Sequence, residues 1–160
     1  MKKILLLGYG NPDRGDDGVA WHVLKTLFSE RGKNSIDLFD LEVNPLTENI
    51  DVWFNFQLLP EIADLIVKYD QAVFLDAHTG EIKNDLNFVK LIPAYQNAPF
   101  THHMTPASLL AVAESIHGEY PESWLLSVRG YSFEFEQQLT AKTLALSDEA
   151  IDLIHRNFIK

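Results

Sequence analysis

The sequence predicts an α/β fold: a single three-layer domain in which a mixed, mostly parallel sheet of about five strands lies between helices. Strand-like apolar runs alternate with amphipathic helical ones, and the connections between them are short. The first run, Ile4-Leu5-Leu6-Leu7, is continuously apolar rather than alternating, as a strand covered on both faces requires. A chain of 160 residues is long enough for one ordinary core and short for two, so one domain over 1–160 is expected.

The elements follow in order. Ile4 to Leu7 is the first strand, and a glycine-rich turn leads from it into a helix from about Asp17 to Ser29, with Val19, Val23, Leu24 and Leu27 on one face. Arg31-Gly32-Lys33-Asn34 stops that helix. Ile36 to Leu41 reads as a second strand, whereas Val52 to Phe56 fits strand and helix alike. Leu58 to Tyr69 reads as a helix with Pro60 in its first turn. Ala72 to Leu75 is a buried third strand that ends at Asp76, and Phe88 to Ile92 is a fourth, extended by Leu86 if it lies at an edge. Thr105-Pro106 supplies an N-cap and a first helical residue for a helix to about Ile116, closed by His117-Gly118. Trp124 to Val128 is the fifth strand, and Glu136 to Ile154 the terminal helix.

Composition excludes several classes. An apolar fraction of 46% and 11% aromatics argue for a packed core, while a mean hydropathy close to zero argues against membrane insertion. A net charge of -10 would repel a phosphate backbone, so nucleic acid is not an expected partner. Cysteine is absent, which removes disulfides, thiolate ligands and a cysteine nucleophile, and fits a cytoplasmic protein. Met1-Lys2-Lys3 looks like the start of a signal peptide, but Gly8-Tyr9-Gly10-Asn11-Pro12 ends the apolar run too early for one.

The turn after the first strand offers a glycine pair, Gly8 and Gly10, of the kind that lets backbone approach a phosphate. Asp13 stands where the dinucleotide fingerprint needs Gly or Ala, and Asp16 and Asp17 at the helix start would repel a pyrophosphate. Asp16 and Asp17 by themselves are ordinary complements of a helix dipole. Their position just past the carboxyl end of a buried strand, where open α/β sheets form their crevice, makes them site candidates as well. Asp76 is at the corresponding place after Ala72-Val73-Phe74-Leu75; its structural alternative is a turn or N-cap residue before Thr79-Gly80. Among six histidines, His22, His117 and His155 read as surface or capping residues, His78 as a weaker candidate, and His102 and His103 as the pair that a loop before a helix start would bring beside carboxylates. No Gly-x-Ser-x-Gly elbow occurs, and Ser108 and Ser127 have no base visible in the sequence.

Taken together, Ile4-Leu5-Leu6-Leu7-Gly8-Tyr9-Gly10-Asn11 with Asp16-Asp17-Gly18, then Phe74-Leu75-Asp76-Ala77 and Thr101-His102-His103, resemble in order and spacing the hydrogenase maturation proteases, the nickel-dependent endopeptidases. Asp40-Leu41-Glu42-Val43-Asn44-Pro45 departs from the family's glycine- and threonine-rich loop, and Phe56-Gln57-Leu58-Leu59-Pro60-Glu61 resembles a divergent branch. The resemblance implies removal of a C-terminal extension from a nickel-loaded [NiFe]-hydrogenase large-subunit precursor. It implies Asp17, Asp76 and His103 as the nickel ligands, with His102 the alternative to His103 and Asp16 a neighbour whose replacement by Asn is expected to be mild. Asp17 and Asp76 are the catalytic candidates, either one able to serve as base toward an attacking water. Three oxygen and nitrogen ligands form an incomplete shell, so nickel is expected to bind the free protein weakly and to arrive with the substrate. Two rivals remain from the residues alone: a non-catalytic metal- or ligand-binding module of the same fold, and a nucleotide-dependent enzyme.

Overall fold

The computed structural model describes residues 1–34, 43–95 and 104–159. Six strands form one sheet: β1 (Ile4–Tyr9), β2 (Asn44–Pro45), β3 (Ile50–Asn55), β4 (Gln71–His78), β5 (Leu86–Leu91) and β6 (Glu122–Arg129), in the order β2-β3-β1-β4-β6-β5. β3, β1, β4 and β6 run parallel, and β2 and β5 close the two edges antiparallel. The helices are α1 (Val19–Glu30), α2 (Ala63–Ile66), α3 (Pro106–His117) and α4 (Ala141–Asn157), with 3-10 turns at Gly15–Gly18 and Pro60–Ile62. This is the predicted three-layer architecture, with six strands among the described residues where about five were expected.

The period of two along each strand divides the core in two. Ile4, Leu6, Val52, Phe54, Val73, Leu75, Leu126 and Val128 face α1 and α4, where Val19, Val23, Leu24, Leu27, Ile151 and Ile154 pack on them. Leu5, Leu7, Trp53, Ala72 and Phe74 face α2 and α3, meeting Ile62, Ile66, Leu109, Leu110 and Ala113. Cover on both sides explains why β1 is apolar without alternation.

Several boundaries differ from the expected ones for identifiable reasons. Of the segment Val52 to Phe56, all but Phe56 is strand, since Ile50–Asn55 pairs with β1 along its full length. The expected second strand, Ile36 to Leu41, lies outside the described residues. The helix expected to reach Tyr69 ends at Ile66, because the amides of Asp70 and Gln71 are already committed to Lys3 O, and the chain must turn to enter β4. β4 continues past Leu75 to His78 because β6 offers it a partner for eight residues, so Asp76 is a strand residue and neither a turn nor a cap. The terminal helix begins at Ala141 instead of Glu136: Glu136 exchanges backbone bonds with Asp13 and Gly15, and Thr140 takes the N-cap, its side chain accepting from Thr143 N.

α3 follows its sequence signals closely. Thr105 caps it by accepting from Ser108 N, Pro106 opens it, and Gly118 closes it with φ +75°, a conformation that suits glycine. Since β6 begins four residues after Gly118, α3 returns the chain to the amino ends of the strands, and its own N-terminal end points toward their carboxyl ends. Replacing Thr105 by Ala should lower stability by about 1 kcal/mol in urea denaturation, the usual loss for an N-cap hydroxyl.

Candidate functional site

The carboxyl ends of β1 and β4 lie side by side, and the turn after β1 folds back over them: the Gly15–Gly18 turn packs against β4. Gly10 makes that reversal. It adopts φ +136°, and a Cβ there would lie 2.2 Å from Asp17 O. Asp17 is half-buried, its Oδ2 accepting from Asn11 N at 2.7 Å. Among the described residues its Oδ1 has no hydrogen-bond donor.

Asp76 stands on the α2/α3 face of the sheet, and both its oxygens are engaged. Tyr9 Oη donates to Oδ2 at 2.8 Å and Ser127 Oγ donates to Oδ1 at 2.8 Å. Burial pushes the Asp76 carboxyl up to about 6, against the opposing pull of the Ser127 and Tyr9 hydrogen bonds. Burial and the adjacent carboxylate push the Tyr9 phenol well above its ordinary value, so it remains a protonated donor. Tyr9 and Ser127 were not among the metal-site candidates read from the sequence. The signal was available: Tyr9 shares parity with Leu5 and Leu7, and Ser127 stands opposite Asp76 once β4 and β6 are paired. Ser127 is 1% exposed and is held as a donor to Asp76, which removes it as a nucleophile in this arrangement.

Asp16 departs furthest from expectation. It is 0% exposed and accepts at Oδ2 from Tyr131 N, Ser132 N and Thr140 Oγ1, and at Oδ1 from Thr140 N, over 2.7–3.1 Å. Burial alone would raise its pKa, yet the hydrogen bonds from Tyr131 and Thr140 outweigh it and hold the carboxyl below the usual range. The residue therefore anchors the 130–140 loop and the N-terminus of α4 rather than merely complementing α1.

The histidines divide clearly. His78 is buried, with Nδ1 accepting from Gly80 N at 3.1 Å, so Nε2 carries the proton and donates to Asp85 O at 3.2 Å. Both nitrogens serve the loop after β4. His117 meets Asp64 at 2.7 Å and His155 meets Glu30 at 2.7 Å, each tying a helix to its neighbour. His102 and His103 lie outside the described residues. Met104, which follows His103 directly, packs on the same core as Tyr9. Among the described residues no three His, Asp or Glu side chains gather as a complete ligand set.

A cleft of about 840 Å³ opens at the same end of the molecule, lined by Pro12, Trp21, His22, Phe56, Leu139 and Leu144 among others. It lies on the α1/α4 side, across the sheet from Asp76. The cleft also reaches the turn that carries Asp17, since Gly15 and Gly18 line it, whereas Asp76 lies across the sheet; the two carboxylates, not the cleft, are the candidate site.

No family model matches the chain, and no curated protein matches it. Solved structures do. The hydrogenase maturating endopeptidase HybD from E. coli superimposes with a TM-score of 0.68 at 19% identity, over 96% of this chain and 90% of that one. The hydrogenase 2 maturation peptidase from Thaumarchaeota archaeon SCGC_AB-539-E09 gives 0.65 at 23% identity, over 99% and 100%. The [NiFe] hydrogenase maturation protease HycI from Thermococcus kodakarensis gives 0.62 at 20%, over 97% and 91%. The chain has the fold of the hydrogenase maturation endopeptidases. The likeness is one of fold across nearly the whole chain, and it agrees with the resemblance carried by the motifs around Asp17 and Asp76 in the maturation-protease pattern.

Two outcomes follow from the carboxylates. Asp16→Asn should cost about 3 kcal/mol in denaturant unfolding, since it places an amide among donors selected for a buried anion; this is a loss of stability, separate from the milder effect on metal binding and processing expected from the sequence. For Asp76 the folded value of about 6 lies above the ordinary 3.8, so the native state binds more protons between these values. Its contribution to stability is full below about 4 and is lost as pH rises through 6. The stability of Asp76→Asn relative to the parent should therefore improve from pH 4 to pH 7, as read from paired urea titrations.

Proposed function

We propose that this chain is a divergent hydrogenase maturation endopeptidase that removes a C-terminal extension from a nickel-loaded [NiFe]-hydrogenase large-subunit precursor in the cytoplasm. The observation that carries this reading is the meeting of the Asp17 turn with the carboxyl end of β4, which bears Asp76, in a fold shared with such endopeptidases.

The donor set suits the substrate's nickel. A borderline divalent ion accepts carboxylate oxygen and imidazole nitrogen, and the chain has no cysteine to compete with thiolates of the substrate. Asp76 and Asp17 would supply two oxygen ligands and His103 the nitrogen, leaving positions for the precursor's own donors. His103 immediately precedes Met104 and the start of α3 in the sequence, and the N-terminal end of α3 points toward the carboxyl ends of the strands, which supports its inclusion. No helix among the described residues is long and apolar enough to cross a membrane.

In the peptide-bond step, a water attacks the scissile carbonyl and gives its proton to a carboxylate. The C–N bond breaks, and that proton passes to the leaving amine. Asp17 is the better placed base, because its Oδ1 is uncommitted among the described residues whereas both Asp76 oxygens already accept hydroxyl bonds.

Incubation with a nickel-loaded precursor should release a C-terminal peptide, seen as a fall in intact mass, and a precursor without nickel should remain whole. Asp17→Asn, Asp76→Asn and His103→Ala should each slow processing by about 100-fold or more, and His102→Ala should change it little. Nickel binding with no loss of mass from any loaded large subunit would assign the chain to the non-catalytic binding class instead.

A further inference from the structure

The sheet register places three polar side chains in one row. Asp76 stands opposite Ser127 in the β4–β6 ladder, and Gly8 stands opposite Leu75 in the β1–β4 ladder, so the next residue on β1, Tyr9, comes level with Asp76. All three face the α2/α3 side. The two outer members are hydroxyls, and each donates to a different oxygen of the carboxylate between them, at 2.8 Å on both sides.

We propose that Tyr9 and Ser127 are positioning residues that clamp the Asp76 carboxylate in one orientation for a divalent cation, an inference that rests on the metal-site reading above. A carboxylate rotates about a soft terminal torsion, and a bond to one oxygen leaves that rotation largely open. Bonds to both oxygens from opposite strands of one sheet close it. Each oxygen keeps a lone pair, because a carboxylate oxygen can accept twice.

The chemical nature of the clamp matters as much as its geometry. A lysine or arginine in either place would orient the carboxylate and also cancel the charge that attracts a cation. Neutral hydroxyls orient it and leave the charge intact. The nearest cation on β6, Arg129, is directed elsewhere, to Asp85 at 3.4 Å and to the Tyr131 ring at 4.8 Å. Ser127 is 1% exposed, so its hydroxyl is not shared with bulk water. Asp17, which among the described residues accepts only from Asn11 N, has no such clamp there.

The test is nickel titration calorimetry on the full chain, joined to the visible absorption of bound cobalt as a reporter of ligand geometry. Tyr9→Phe and Ser127→Ala should each weaken nickel binding about tenfold, the lower end of what removal of a ligand's supporting hydrogen bond costs. Each should also shift the cobalt spectrum. Ser127→Thr, which keeps the hydroxyl, should retain parental affinity and spectrum, an outcome that loss of packing alone would not produce. Should Tyr9→Phe fail to fold, the Ser127→Ala and Ser127→Thr pair carries the decision. Parental affinity and spectrum in the folded hydroxyl-deleted variants, with Asp76→Asn abolishing binding, would overturn the clamp and leave the metal site standing. Parental nickel binding in Asp76→Asn would overturn the metal site itself, and the clamp with it.

Discussion

The buried carboxylate of Asp16 is the interaction on which the active edge of this sheet depends. It draws together elements distant in sequence, because its partners Tyr131, Ser132 and Thr140 are 115 to 124 residues away along the chain. Around it the backbone closes as well: Asp16 N donates to Ser132 O, Gly15 N to Glu136 O, and Glu136 N to Asp13 O. The bond from Thr140 N sets this anion at the N-cap of α4, where a helix favours negative charge. A Cβ at Gly130 would come within 2.5 Å of Phe133 Cζ and 2.9 Å of Asp16 Cβ, so the loop packs too closely there for a side chain. With the Gly15–Gly18 turn fixed from inside by Asp16, Asp17 is left to present its carboxylate away from that network. Two adjacent, chemically identical residues thus differ in setting, Asp16 buried and bonded at both oxygens and Asp17 half-buried and bonded at one oxygen among the described residues.

Parallel strand order accounts for where the second carboxylate lies. In a sheet of this kind the strands β1, β3, β4 and β6 all end on one edge, and the loops that follow them converge there. Period-two alternation then selects the face. Asp76 shares parity with Ala72 and Phe74, which places it over the α2/α3 core, while the cleft between α1 and the loop before α4 opens on the opposite side. A cleft lined by both apolar and polar side chains needs only imperfect packing between elements. A carboxylate at the end of a buried strand needs donors, and Tyr9 and Ser127 supply them.

How far the sequence revealed this depends on whether the information was local. β1 was legible because four consecutive apolar residues admit few readings, and α3 because Thr105, Pro106 and Gly118 are local signals with local causes. Asp17 and Asp76 were legible as residues that follow or end such strands. Helix α4 was placed five residues too early, because the bonds that hold Glu136 outside it come from Asp13 and Gly15, far away in the chain. The same distance hid the role of Asp16. Tyr9 looked like part of a glycine-rich turn, and Ser127 like a serine without a base, until the pairing of β1, β4 and β6 set them on either side of Asp76. Helical and capping signals act over a few residues, whereas strand partners must be found across the chain, and the site is made almost wholly of the latter.

The charge of the edge gives the arrangement its energetic sense. The chain carries a net -10, and it places Asp13, Asp16 and Asp17 in one turn and Asp76 on the strand beside it. Asp16 is neutralised by oriented amide dipoles, which hold its carboxyl below the ordinary range. Asp76 receives two hydroxyl bonds and, among the described residues, makes no ion pair, and burial raises it to about 6. A fold free to optimise stability alone would fill that position with an apolar side chain or add a positive charge, as buried anions are costly without compensation. What the strands provide is orientation without neutralisation. Among the described residues no ion pair offsets such a carboxylate, and under the proposed function a cation would do so. Under the proposed function that cation comes with the precursor, so the charge imbalance held in the resting fold becomes differential affinity for the loaded substrate over the empty one.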